Sequence, residues 1–220
     1  MVFIGFLGFY IVKQEYRGKG YGLQIWNAAM QRLANQNIGL DGVVAQQNNY
    51  QKSGFNFAYN NIRYEGKAVR RSSIQPKQMS ALSEIPLQQL VQYDAAFFPT
   101  SRASFLQAWI QQPESLALGY FEEKQLKGYG VIRKCRRGFK IGPLFADTRE
   151  IAFTLFDSLQ EAAGVGCPIF LDVPEPNKIA TRLVNQYNMK PVFQTARMYT
   201  QTVPKMDLNK IFGVTTLELG

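Results

Sequence analysis

The sequence predicts an α/β fold built on a mixed sheet. Three observations carry that expectation. Apolar runs of strand length alternate with amphipathic runs of helix length. Three glycines, Gly18, Gly20 and Gly22, stand between the first such strand and the first such helix. The order of elements after a central apolar strand also recurs in the second half of the chain, as a weak internal repeat.

Residues 3–12 are nearly all apolar, as in a strand covered on both faces. After Gly22, Leu23, Trp26, Ala29, Met30 and Leu33 fall three and four apart, so that helix presents one stripe to the sheet. Residues 37–45 read as the next strand, and 47–55 as a short helix ended by Gly54 at its C-terminal cap. Residues 55–66 form a strand with Phe57, Tyr59 and Ile62 as candidate core positions. Charge, serine and one proline without periodicity then mark a linker. Beyond it come helices at 85–97 and 101–112, strands at 115–122, 125–135 and 139–146, and a helix at 148–163. A strand at 168–173, a helix at 176–188 and strands at 190–199 and 211–220 complete the order. The expected division is a first domain over 1–66, a linker over 67–78 and a second domain over 79–220.

Composition narrows the chemistry. No apolar run is long enough to span a bilayer, so no membrane partner is expected. The opening dozen residues lack a basic region and a small-residue cleavage site, and read as a strand rather than a signal peptide. Two cysteines, Cys135 and Cys167, are too few for a disulfide framework and lack metal-ligand spacing, which suggests a cytoplasmic protein with no metal. The chain has no histidine. Ser-His-Asp and Cys-His nucleophiles, imidazole acid–base chemistry and His-based metal sites are therefore excluded.

Formal net charge is +9, and it is concentrated early: residues 1–75 hold nine Lys and Arg against three Asp and Glu. Such a surplus suits a small polyphosphate. Nucleic acid is disfavoured, because the aromatics fall on core-like positions instead of interleaving with a basic stripe.

In "EYRGKGYG" the glycines bare backbone N–H groups at the mouth of a helix, where orphan donors and the helix dipole favour an anion. Arg17 and Lys19 add charge. The spacing fits neither the P-loop nor the dinucleotide fingerprint. It resembles the R-x-x-G-x-G signature of the GNAT superfamily of acyl-CoA N-acyltransferases, with Arg17, Gly20 and Gly22 at the defining positions. A second match, "YQKSGF" at 50–55, resembles the family's Y-x-K-x-G-F helix ending.

The resemblance implies a tandem GNAT-like fold, with acetyl-CoA as co-substrate. Ile11, Val12, Arg17, Gly18, Lys19, Gly20, Tyr21 and Gly22 would bind the cofactor. Tyr50 would protonate the departing thiolate, a role that a phenol can fill without histidine. An amine, borne by a small molecule or a peptide, would attack the thioester directly. Amides near Ile11 and Val12 would hold the oxyanion, and the pantetheine arm would pair with the same strand. The general base stays open between Glu15, Asp41 and solvent, and Glu15 is expected to be exposed.

The second half resembles a degenerate copy. Its central strand runs into "DTREIA" without glycine, Asp147 and Glu150 stand where phosphates would lie, and Val184 replaces Tyr50. It is expected to be silent and to contribute structure or the acceptor pocket. "FLDVPEPN" admits two readings, a ligand site at Asp172 and Glu175 or simple helix-start chemistry. "KCRRGFK" reads as an exposed hairpin turn. The family's fold carries three strands and two helices before its central strand, whereas this chain opens on that strand at Phe3. The first domain is thus expected to be incomplete, with its open edge paired to a second copy or to the second domain. A non-catalytic CoA-binding or partner-binding module is the alternative function.

Overall fold

A computed structural model describes residues 4–70, 77–98 and 100–220. The first part of the chain forms β1 (Ile4–Leu7), α1 (Tyr21–Arg32), β2 (Asn37–Val43), α2 (Gln47–Lys52) and β3 (Asn56–Lys67). A short β4 (Met79–Ala81) precedes α3 (Leu87–Asp94) and α4 (Ala103–Ile110). The remainder forms β5 (Ser115–Glu122), β6 (Gln125–Lys134), β7 (Phe139–Ala146), α5 (Arg149–Glu161) and β8 (Pro168–Pro174). It ends in α6 (Lys178–Gln186), β9 (Lys190–Tyr199) and β10 (Ile211–Gly213).

The ten strands among the described residues join one mixed sheet in the order β1-β2-β9-β3-β8-β7-β6-β5-β4, with β10 paired to β7. The pairs β1–β2 and β7–β8 are parallel, and the others antiparallel. The two sequence halves are interleaved in space. β9 lies between β2 and β3, and β3 lies between β9 and β8. Each half therefore lends its last long strand to the other. Ala196 and Met198 of β9 pack with Trp26, Ile38, Leu40 and Phe55 to complete the core beneath α1.

Two matching ion pairs close the exchanged seams. Asp41 on β2 stands opposite Arg197 on β9, and Asp172 on β8 stands opposite Arg63 on β3. Arg197 donates from Nε and Nη2 to Asp41 at 3.0 and 2.6 Å. Arg63 donates from Nε and Nη2 to Asp172 at 2.7 and 2.9 Å. Both aspartate side chains are fully buried, and Lys140 is a second partner of Asp172. Paired and hydrogen-bonded in this way, buried carboxylates escape the cost of isolation.

Several boundaries differ from the sequence reading. The first strand is short: pairing ends at Leu7 opposite Leu40. Phe9 and Ile11 are about seven-tenths exposed instead of buried, and Phe9 takes a positive φ of 56°. The chain there leaves β2, so its apolar residues face an opening, not a second layer. Of the α1 stripe, Trp26 is buried while Leu23 is 64% exposed. β4 lies just past the expected linker, where three residues gave no periodicity to read; positions 71–76 of that linker are outside the described residues. The last strand is confined to Ile211–Gly213, after which the segment turns back over β1.

Candidate functional site

Where β1 and β2 part, a cleft of about 650 Å³ opens. Ile11, Val12, Arg17, Leu23, Trp26 and Tyr50 are among the residues lining it. A second cavity, of about 340 Å³, shares Tyr10, Ile11, Trp26, Val43 and Tyr50 with the first. The two spaces therefore meet beside Tyr50.

The glycine loop stands at the mouth of α1. Gly18 and Gly20 adopt positive φ of 74° and 79°, and Gly20 is the N-cap of the helix. A Cβ at either would meet nothing within 4 Å, so both face open space in a conformation that other residues resist. Gly22 has a different reason. A Cβ there would sit 2.8 Å from the Tyr10 hydroxyl and 3.2 Å from Val12 Cγ2, so glycine lets these two side chains lie close against the start of the helix. The first helical bond runs from Gln24 N to Gly20 O at 3.1 Å. The amides of Tyr21, Gly22 and Leu23 thus precede the ladder, at the positive end of the helix dipole.

Arg17 donates from Nε to the Val12 carbonyl at 3.0 Å, which ties the loop to the segment before it. Arg17, Lys19 and Tyr21 are exposed, with the Lys19 ammonium 5.6 Å from the Tyr16 ring. The structure brings Ile11, Val12, Arg17 and Tyr50 onto one cleft, and sets Gly18, Lys19, Gly20, Tyr21 and Gly22 beside its Arg17 end.

Tyr50 sits on α2, held from two sides. Its ring lies against Gly42, where a Cβ would be 2.2 Å from it, and 5.7 Å from the Trp26 ring. The Phe55 amide donates to its carbonyl at 3.1 Å. Burial, and then the neighbouring Tyr10 phenol, raises the Tyr50 hydroxyl above the ordinary tyrosine value. The phenol accordingly keeps its proton throughout the neutral range.

The two first-half carboxylates have distinct fates. Glu15 is exposed in the turn Gln14–Tyr16. Asp41 is engaged by Arg197 and by Asn61 Nδ2 at 2.8 Å, so it holds the sheet seam rather than standing ready as a base. Downstream, Asp172 is likewise locked. Burial works against its charge, but the Arg63 hydrogen bonds and Lys140 prevail and hold it below the usual carboxylate range. Asn177 caps α6, its Oδ1 accepting from the amides of Ile179 and Ala180 at 3.0 and 2.9 Å. Of the two readings of 170–177, helix-start chemistry is the one these contacts support.

Sequence reasoning missed the other walls of the second cavity. These are Phe193 and Thr195 on β9, and Leu217 and Glu218 from the closing segment. Gly42 alone left a trace, as a glycine inside a strand, which marks a close approach. Phe193 and Thr195 are brought in by the strand exchange, and Leu217 and Glu218 by the return of the closing segment over β1; no local pattern announces either.

The second half reproduces the frame with its opening filled. β7 and β8 pair from Phe139–Ile169 to Ile141–Leu171 and then separate. β10 occupies the gap, pairing Ile211 with Phe145 and Gly213 with Leu144. At the mouth of α5, Asp147 accepts from Lys210 Nζ at 3.1 Å, and Thr148 caps the helix by accepting from the Ile151 amide at 3.3 Å. Among the described residues no group of His, Cys, Asp and Glu is placed to hold a metal, and no helix is long and apolar enough to cross a membrane.

Comparisons with known proteins bear on the family and the fold. A family model described as an acetyltransferase (GNAT) domain matches residues 90–213, and one for the acetyltransferase (GNAT) family matches residues 2–55. The chain is 26% identical over 216 residues to a holothin acyltransferase of Pseudoalteromonas sp. (strain SANK 73390), covering 98% of this chain and 73% of that protein. It is 30% identical over 165 residues to an uncharacterized Caenorhabditis elegans protein, covering 69% of this chain and 53% of that one. An uncharacterized N-acetyltransferase of Bacillus subtilis is 27% identical over 170 residues, and 60% of its length is spanned. Among solved structures, a Pyrococcus horikoshii protein proposed to be an acetyltransferase superposes with a TM-score of 0.78 at 22% identity, over 95% of this chain and 69% of that one. A tandem GNAT protein from the clavulanic acid biosynthesis pathway superposes with a TM-score of 0.57 at 12% identity, over 88% of this chain and 74% of that one. These two likenesses concern the fold.

Proposed function

Since this chain belongs to the GNAT acetyltransferase family, we propose that it transfers an acetyl group from acetyl-CoA to an amine in the cleft between β1 and β2. One observation carries the reading: an open cleft beside a glycine-rich helix mouth meets a second cavity at a protonated tyrosine. The residues fit the co-substrate's parts. The free amides at the start of α1, with Arg17 and Lys19, suit its phosphates. The exposed backbone of 8–12, outside any strand pairing among the described residues, suits an extended pantetheine arm.

In this mechanism the amine attacks the thioester carbonyl carbon, and amides around Ile11 and Val12 hold the oxygen as it gains charge. Collapse of the tetrahedral species breaks the C–S bond. Tyr50 donates its hydroxyl proton toward the departing sulfur, and its raised value ensures that the proton is there to give. The similarity to a holothin acyltransferase supports acyl transfer as the reaction type. Free Cys135 and Cys167 suit a reducing cytoplasm.

The test is calorimetry with acetyl-CoA, followed by acetyl transfer to a panel of amines. Wild type should bind and transfer. Tyr50→Phe should bind acetyl-CoA with unchanged affinity and lose about a hundredfold in kcat, the usual scale for one acid–base group. Binding without transfer to any amine would leave a CoA-binding module. Absence of binding would overturn both.

A further inference from the structure

We propose that the second cavity is an acyl pocket, which lets this chain take an unbranched apolar acyl group longer than acetyl from its thioester. The inference rests on the acetyl-transfer reading of the cleft, and it widens the donor class to butyryl and hexanoyl thioesters.

The path of the donor decides what enters the cavity. In that reading the phosphates lie at the Arg17 end of the cleft and the sulfur beside Tyr50. There the two spaces share Tyr10, Ile11, Trp26 and Val43. A carbonyl held by amides near Ile11 and Val12 has the sulfur on one side and the rest of the acyl group on the other. The second cavity is the space on that other side. At about 340 Å³ it holds many times the room that one water needs, whereas an acetyl group brings a single methyl.

The lining suits a hydrocarbon chain. Leu7 and Leu40 form the last register pair before β1 and β2 part, and both pack with Trp26 in the core beneath α1. No lysine or arginine lines the cavity. Its two carboxylates are matched by cations, Asp41 by Arg197 and Glu218 by the neighbouring Arg63 and Lys140. The cavity therefore offers no unmatched charge to an ion. Phe9, Ile11, Val43 and Phe193 line it and are exposed. Large apolar side chains gathered on one exposed surface mark a place where a ligand is buried.

The second half supplies an independent observation. Its equivalent opening, between β7 and β8, is filled by β10. There Ile211 and Phe212 bring in two apolar side chains that are 4% and 1% exposed, each joined to a core cluster. The first half keeps the frame and lacks that filler. An acyl chain restores the burial that Ile211 and Phe212 provide in the other copy.

The chemistry of transfer is unchanged. The amine nitrogen forms the C–N bond, the C–S bond breaks, and the thiol leaves with the Tyr50 proton. The nitrogen's surplus proton returns to the phenoxide, so the sum is an amide and a free thiol.

The test is calorimetry of the full chain against CoA, acetyl-CoA, butyryl-CoA and hexanoyl-CoA, with no amine present. Affinity should rise along the series by up to roughly fourfold for each methylene buried. Hexanoyl-CoA should bind at least about tenfold tighter than acetyl-CoA. Leu7→Trp puts bulk on the pocket floor, and should bring the ratio of those two affinities to within about threefold of one. A melting curve shows that the variant is folded, and the wild-type series stands without it. Equal affinities for acetyl-CoA and hexanoyl-CoA in wild type overturn the proposal and leave acetyl transfer intact. A folded Leu7→Trp that keeps the full hexanoyl preference overturns it too, since the chain would then lie elsewhere. Absence of binding by all four compounds overturns the transfer reading and the pocket together.

Discussion

The cleft between β1 and β2 is open, while its counterpart between β7 and β8 is filled by β10. The frames around them match closely. The Phe55 amide donates to the Tyr50 carbonyl at 3.1 Å, and the Met189 amide to the Val184 carbonyl at 2.9 Å. Gly54 and Asn188 both take positive φ after those short helices. The Asp41–Arg197 and Asp172–Arg63 pairs repeat across the two seams. From the central strand onward, the two halves differ chiefly in the parts that would touch a ligand. Gly18, Gly20 and Gly22 give way to Asp147 and Thr148, Tyr50 to a buried Val184, and an empty groove to a paired strand. A fold can therefore keep its backbone and its seams while one of two equivalent clefts closes, because seam chemistry and cleft chemistry lie on different residues.

The largest effects should come from the seams. Asp41→Asn and Asp172→Asn should each cost about 3–5 kcal/mol of unfolding free energy, since a buried cation loses its partner. Arg63 is about a quarter exposed, so Asp172→Asn belongs toward the lower end for that partner, with buried Lys140 adding to it. Urea denaturation of the two variants checks this. Similar losses would support equivalent seams, and a large loss in only one would break the equivalence. Acid gives a second view. Asp172 is held below its unfolded value, so its stabilisation is present above about pH 4 and disappears as pH falls through the folded value.

The helix mouths come next. Gly20→Glu places a carboxylate where Asp147 and Glu150 stand in the second half, and should weaken acetyl-CoA binding by roughly a hundredfold or more through charge repulsion. The reciprocal change, Glu150→Gln, should create no second site, because β10 and the Lys210–Asp147 contact still occupy that end. Calorimetric stoichiometry decides the matter. Two sites in Glu150→Gln would show that charge alone, rather than the inserted strand, keeps the second cleft shut.

Much of this contrast could be read from sequence, for local reasons. The α/β class, the glycine loop, Tyr50 and the changed second copy rest on short-range patterns, and most elements lie within a few residues of their expected places. The first strand failed instructively. Apolar Phe9, Tyr10 and Ile11 look buried by composition, yet they line an opening, since hydrophobicity cannot distinguish a core from a ligand groove. The exchange of β3 and β9 left no local mark, so neither the pairing of Asp41 with Arg197 nor the arrival of Thr195 at the cavity that Tyr50 lines was legible. Both depend on contacts far apart in sequence.

The smallest effects test the repeat at its two helix endings. Gly54 has φ of 89° with open space where a Cβ would be, so Gly54→Ala meets no clash and pays only for left-handed backbone, about 1–2 kcal/mol. Asn188, at φ of 53°, already tolerates that region through its short polar side chain. Asn188→Gly relieves residual strain but frees the unfolded chain, and the two should cancel to within about 0.5 kcal/mol. Denaturant midpoints at constant m-value would measure both. A costless Gly54→Ala would mean that α2 does not end in a left-handed turn. The Phe55-to-Tyr50 bond would then lose its geometric basis, and with it the fixed position of the Tyr50 ring against Gly42 that the acid role requires.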